Sequence, residues 1–160
     1  MKLTVVVLED EPDVRAALER DLEPFAQVLR IEPADDVEDA REVVAEIAAD
    51  GDVLALVLAD HRLPGTSGVD YLCELSADPA TADVATVLVT GQADQQDTIK
   101  ALNVAGLDYY IAKPWDAGEL QGVVRRLLTD VVEAKKLNPL PHLAALDSVR
   151  AMDLVRTRSH

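Results

Sequence analysis

The 160-residue sequence predicts an α/β protein in which a parallel sheet carries helices on both faces. One observation behind this is the run Val53-Leu54-Ala55-Leu56-Val57-Leu58-Ala59-Asp60. Seven aliphatic residues end in a carboxylate there, and His61-Arg62-Leu63-Pro64-Gly65 turns the chain at once. A run that short and without alternation reads as a strand buried on both faces. The other observation is that four further apolar runs alternate with stripes at helical spacing, giving five strands and five helices.

Leu3-Thr4-Val5-Val6-Val7-Leu8 is the first strand, and it ends at Glu9-Asp10-Glu11. Pro12 suits the first turn of a helix, and the acidic residues ahead of it favour a helix N-terminus. Val14, Ala17, Leu18 and Leu22 form that helix's apolar stripe, which Pro24 stops. Residues 26–31 form a weaker strand, closed by Pro33 and placed at a sheet edge. Val37, Ala40, Val43, Val44 and Ile47 recur at helical spacing until Asp50-Gly51-Asp52 breaks the pattern before the central strand.

After Pro64-Gly65-Thr66-Ser67-Gly68 comes a third helix with Val69, Leu72, Cys73 and Leu75 facing inward, Cys73 as a small core residue. Residues 84–90 are the fourth strand. Gly91-Gln92-Ala93-Asp94 turns into a helix through Ile99, Leu102 and Val104 that stops near Gly106. Residues 107–112 are the fifth strand, ending at Lys113-Pro114-Trp115. The last long helix starts near Asp116, and Leu120, Val123, Val124, Leu127, Leu128 and Val131 form its stripe. Asn138-Pro139-Leu140-Pro141 is a break, so residues 1–134 form one domain and 135–160 a partly helical or disordered tail.

Composition narrows the function classes. No apolar run approaches the roughly 18 residues needed to span a bilayer, and the N-terminus enters a strand pattern directly without a signal peptide, so a cytoplasmic location is expected. Cys73 is the single cysteine, which excludes a disulfide framework and a thiolate metal cluster. The net charge of −15 argues against direct contact with nucleic acid. That charge is uneven: residues 1–134 hold 28 acidic and 10 basic side chains, residues 135–160 hold 2 and 5. A solvated acidic surface accounts for most of the excess.

The strand ends carry a more specific pattern. Glu9 and Asp10 follow the first strand, Asp60 ends the third, Thr90 the fourth, and Lys113 follows the fifth. Right-handed crossovers bring all of them to one rim of the sheet, where open α/β sheets bind ligands. Asp60 alone would read as a turn cap. Three clustered carboxylates, however, repel unless a cation sits among them, and an all-oxygen set suits Mg²⁺. Thr90 and Lys113 could then hold the oxygens of a phosphoryl group carried on Asp60.

Four stretches carry a family likeness: Val5-Val6-Val7-Leu8-Glu9-Asp10-Glu11-Pro12, Leu58-Ala59-Asp60-His61-Arg62-Leu63-Pro64-Gly65, Val87-Leu88-Val89-Thr90-Gly91 and Tyr109-Tyr110-Ile111-Ala112-Lys113-Pro114. In this order they resemble the response-regulator receiver domain of two-component signalling, over roughly residues 3–130. The resemblance implies a flavodoxin-like (βα)5 doubly wound parallel sheet of order 2-1-3-4-5, here with a short C-terminal extension. It makes Asp60 the phosphoacceptor. It gives Glu9, Asp10, Asp60 and the backbone carbonyl of Arg62 to Mg²⁺, makes Thr90 the switch hydroxyl and Lys113 the phosphate-contacting lysine, and makes Tyr110 the switch aromatic. Pro114 matches a proline often preceded by a cis bond.

The implied donor is a sensor histidine kinase or phosphotransfer protein. The implied output is a switched surface for a downstream protein target, with homodimerisation through the last two helices and fifth strand. A stand-alone regulator is expected, because no DNA-binding module fits after residue 134. Departures are Glu9 where Asp is commoner, Gly91 where Ala is frequent, and Trp115 where Phe is usual. Arg62 and Gln92 flank the pocket and bear on the lifetime of the phosphoryl group. The rival reading is an aspartate-nucleophile phosphohydrolase acting on a small-molecule phosphate; such enzymes usually carry a second acid two residues after the nucleophile, where Arg62 stands. A nucleotide-binding module is disfavoured because no glycine-rich loop follows the first strand.

Overall fold

In the structure, a computed structural model, residues 1–91, 96, 99, 103 and 106–158 are described. Five parallel strands, β1 (Leu3–Leu8), β2 (Leu29–Ala34), β3 (Val53–Asp60), β4 (Ala85–Thr90) and β5 (Tyr109–Ala112), form one sheet of order β2-β1-β3-β4-β5. The flavodoxin-like arrangement implied by the sequence is therefore the observed one. Alternate residues of the central strands face opposite sides, so the all-aliphatic runs fill two cores. Val5 and Val7 of β1 pack with α1 (Pro12–Leu22) and α4 (Ala117–Ala134), whereas Val6 and Leu8 pack with α2 (Val37–Ala49) and α3 (Gly68–Ala77).

Among the described residues four helices start on a side-chain cap. Asp36 accepts from the Asp39 amide (2.8 Å), Ser67 from Asp70 (3.1 Å) and Asp116 from Glu119 (3.0 Å). At the C-terminal helix Ser148–Arg158, Asp147 accepts from the Arg150 amide (3.1 Å). Each cap satisfies an amide that the helix leaves without a partner.

Several element boundaries differ from the sequence reading. Pro24 does not stop the helical chain; Glu23–Phe25 adds one 3-10 turn that delivers Phe25 into the core. As a result β2 begins at Leu29, and Pro33 lies inside it, paired in register with Val7. An edge strand has a neighbour on one side only, so a residue without an N–H is tolerated there. On α3 the inward stripe is Tyr71, Leu72 and Leu75, while Val69 and Cys73 are half-buried. Leu107 is buried but precedes β5, because the Asp108 carboxylate accepts from the Thr86 amide (2.8 Å) and ends the ladder there. Gln96, Ile99 and Asn103 have helical backbone, and Ile99 is 49% exposed. The expected turn and stripe positions Gln92, Ala93, Asp94, Leu102 and Val104 lie outside the described residues.

Residues 135–158 are partly helical, as the sequence suggests, and pack on the last long helix through a few side chains. Helix α4 closes in a Schellman turn: Lys136 adopts φ 55°, and the Leu137 amide bonds to the Val132 carbonyl (3.0 Å). A 3-10 segment, Leu140–Ala145, and α5 (Ser148–Arg158) follow. Ala145, Leu146 and Ala151 join the same core as α4. The Thr129 hydroxyl donates to the Arg125 carbonyl (2.7 Å) and accepts from the Asp147 amide (2.9 Å). Arg150 bridges Asp130 (2.7 Å) and Glu133 (3.0 Å). This docking explains why Thr129 and Val132 are buried although they lie off the stripe read from the sequence.

His142 is buried in the 3-10 segment, and burial, helped by the positive chain terminus, lowers its pKa. The folded chain therefore binds fewer protons than the unfolded chain once the pH falls below the ordinary histidine value of about 6.5. Stability present above that pH is lost on acidification, by at most about 1.4 kcal/mol per pH unit from this residue. Urea denaturation of wild type and His142→Asn at pH 7.5 and 5.5 should show the larger acid-induced loss in wild type; equal losses would contradict the assignment.

Candidate functional site

The carboxyl ends of β1, β3 and β4 and the loop after β5 meet at one rim. Asp60 is the last residue of β3, flanked by β1 and β4, and only 6% of it is exposed. Glu9 follows β1, is fully buried, and donates its amide to the Ala34 carbonyl of β2 (3.0 Å). Asp10 beside it is exposed. Carboxylate oxygens of Glu9, Asp10 and Asp60 lie within 4.8 Å of one another. The Lys113 ammonium reaches into the cluster, 3.3 Å from Asp60 Oδ1 and 3.6 Å from Glu9 Oε2.

Charge dominates this pocket. At an effective dielectric of 20, two like charges about 4 Å apart repel by about 4 kcal/mol. Burial, then the Asp60 carboxylate, push the Glu9 pKa up to about 7, against the pull of Lys113 and of the Glu11 amide that donates to Glu9 Oε1 at 3.2 Å. The Lys113 ammonium pairs with two of the three carboxylates, Asp60 and Glu9. Among the described residues Glu9 Oε2 is buried without a hydrogen-bond donor, with the Lys113 ammonium 3.6 Å away. An all-oxygen donor set with a buried oxygen left unsatisfied fits a hard divalent cation.

The structure thus brings Glu9, Asp10, Asp60 and Lys113 together. Thr90 stands at the neighbouring strand end, 2% exposed, with its hydroxyl donating to the Gly91 carbonyl (3.2 Å) and its own carbonyl accepting from the Lys113 amide (2.8 Å). Tyr110 sits farther back on β5, half-buried against the α2/α3-side core, its ring 6.1 Å from that of Tyr109. Arg62 lies in the exposed part of the loop after β3. The Lys113–Pro114 peptide is cis.

Two contributors were not read from the sequence. Arg15, one turn into α1, donates to the Glu9 carbonyl (2.9 Å) and to the Asp35 carboxylate, tying the acidic loop to the loop after β2. Gly68 opens α3 directly against the backbone of the acceptor strand, and its amide donates to the His61 carbonyl (3.1 Å). A Cβ there would sit 1.8 Å from the Asp60 carbonyl oxygen. The Ser67-Gly68 pair signals a helix start, but not this close approach.

Fold and pocket define a doubly wound α/β domain with a buried acidic site at the carboxyl rim of its sheet. A family model, the response regulator receiver domain, matches residues 5–125, and the chain belongs to that family. The hydrogenase transcriptional regulatory protein HoxA of Cupriavidus necator is 31% identical over 156 residues, which cover 98% of this chain and 30% of HoxA. The transcriptional regulatory protein AruR of Pseudomonas aeruginosa is 35% identical over 132 residues, 82% of this chain and 51% of AruR. The chain thus spans about a third to a half of the length of these relatives. The solved signal receiver domain of an HD domain-containing protein from Pseudomonas fluorescens Pf-5 shares the fold, with a TM-score of 0.73 at 21% identity over 84% of this chain and 93% of that one.

Because the clash at Gly68 is with backbone, Gly68→Ala must displace α3 or the end of β3. It should destabilise the fold by about 2 to 3 kcal/mol. Urea denaturation measures this; a loss below about 0.5 kcal/mol would mean that the approach relaxes freely.

Proposed function

We propose that the chain is a phosphorylation-controlled switch in which Asp60 accepts a phosphoryl group from a phosphohistidine on a sensor kinase or phosphotransfer protein. The observation that supports this best is the convergence on Asp60 of one ammonium and two further carboxylates at the open rim of the sheet. Glu9, Asp10, Asp60 and the Arg62 carbonyl would hold Mg²⁺, which when bound supplies charge neutralisation on the phosphoryl oxygens.

The remaining work belongs to the chain. An Asp60 oxygen forms the new bond to phosphorus as the phosphorus–nitrogen bond breaks, and the histidine keeps the electron pair. Lys113, already on Asp60, moves onto the incoming oxygens, and catalysis is mainly positioning and electrostatics. The acyl phosphate adds charge and acceptor oxygens beside Thr90. The Thr90 hydroxyl rotates from the Gly91 carbonyl to the phosphoryl group, and Tyr110 follows. The protein thereby shifts between two populations.

Output runs through protein contact at the β5 and α4 surface, to a downstream target or a second copy. The net charge of −15 supports protein contact over direct nucleic-acid contact. Among the described residues no helix is long and apolar enough to cross a membrane, and the cytoplasm is the compartment this reading implies.

Incubation with radiolabelled acetyl phosphate and Mg²⁺ should place one phosphoryl group per chain on the wild type. Asp60→Asn should abolish labelling and Asp10→Asn should lower it more than tenfold, on the scale of losing a metal ligand. Undiminished labelling of Asp60→Asn would overturn the acceptor assignment. Steady release of phosphate over many turnovers would favour the phosphohydrolase instead.

A further inference from the structure

The loop that carries Lys113 is fastened to α1, which shares one core with α4. Trp115, two residues after Lys113, donates its indole N–H to the Asp21 carboxylate at 2.7 Å. Gln121, in the first turns of α4, donates its side-chain amide to the Asp21 backbone carbonyl at 2.9 Å. Asp21 lies near the C-terminal end of α1, the helix that follows Glu9-Asp10-Glu11. The Asp21 side chain is only 16% exposed, and the Trp115 ring packs against the core between sheet, α1 and α4. An indole N–H in such surroundings needs a partner, and a charge-assisted bond is a strong one.

Among the described residues, two other bonds fix the backbone between β5 and α4. Lys113 is held at its amide by the Thr90 carbonyl, and Asp116 caps α4. Trp115 is the anchor between them. We propose that Asp21 and Trp115 act as a pair of positioning residues, setting where the Lys113 ammonium stands relative to Asp60. This rests on the phosphoacceptor reading above. Asp21 and Trp115 touch neither the carboxylate cluster nor any transferring group; they act through Lys113. A departure of about 1 Å at a charged group in a phosphoryl site is enough to slow transfer severalfold.

The experiment is a double-mutant cycle on acetyl-phosphate labelling in Mg²⁺, with thermal melts of every variant. Trp115→Phe keeps a ring in the core and removes the N–H. Asp21→Ala removes the acceptor, and Asp21→Asn keeps a carbonyl oxygen that can still accept. Trp115→Phe and Asp21→Ala should each slow labelling about threefold to tenfold, and Asp21→Asn should stay within about twofold of wild type. The Mg²⁺-induced rise in melting temperature should be unchanged, because the carboxylates are not moved.

The decisive arm uses Lys113→Ala. In that background Trp115→Phe should cost nothing further, since there is no ammonium left to position. A full additional loss on top of Lys113→Ala would overturn the proposal, and so would wild-type rates in both single variants. Absence of labelling in the wild type would instead remove the phosphoacceptor reading itself, so the two failures are distinguishable.

Discussion

Repulsion among three carboxylates is the constraint around which this molecule is built. Glu9 and Asp60 are held almost out of water at the ends of two adjacent strands, with Asp10 beside them. A fold tolerates buried like charges only if something else holds the backbone in place. Here β1 and β3 are central strands with aliphatic side chains on both faces. The site is a cost to stability, offset by the sheet beneath it. Lys113 relieves part of it, and its position on both Glu9 and Asp60 marks where positive charge is needed.

The supports around the pocket share a design. Arg15, Gly68 and the Thr90 carbonyl each fix backbone rather than a charged group: the acidic loop through the Glu9 carbonyl, the end of β3 through the His61 carbonyl, and the Lys113 loop through its amide. Backbone anchoring leaves the carboxylate and ammonium ends free to exchange partners. A phosphoryl site needs that freedom, since the charge it holds changes when the group arrives.

Much of this was legible in the sequence, for a physical reason. Strands buried on both faces are dominated by aliphatic side chains, with Thr4 and Thr86 as buried exceptions, so β1, β3 and β4 stand out as blocks. Parallel topology then sends the carboxyl ends of these blocks and of β5 to the same rim, which is why Glu9, Asp10, Asp60 and Lys113 meet. What escaped depends on contacts across long sequence separations. Arg15 meets Asp35 twenty positions away, and Trp115 meets Asp21 across 94. Gly68 matters through a backbone approach that has no side-chain signature. Residues 26–31 read as a strand because their pattern is apolar, yet Phe25 reaches the core from a 3-10 turn and shifts β2 toward Pro33. The C-terminal segment read as weak because its docking contacts, Ala145, Leu146 and Ala151 together with the Thr129 hydroxyl of α4, are scattered and form no continuous stripe in a hydropathy pattern.

The path of that C-terminal segment has a geometric consequence. It leaves α4 at the left-handed turn at Lys136 and runs through the 3-10 stretch and α5. At Arg158, the last described residue, a guanidinium N–H bonds to the carbonyl of Lys136 (3.0 Å). Outbound and inbound ends of the excursion are therefore separated by no more than one arginine side chain. The segment is a closed detour, so lengthening or shortening it in the middle would alter the surface it covers while leaving its two ends side by side.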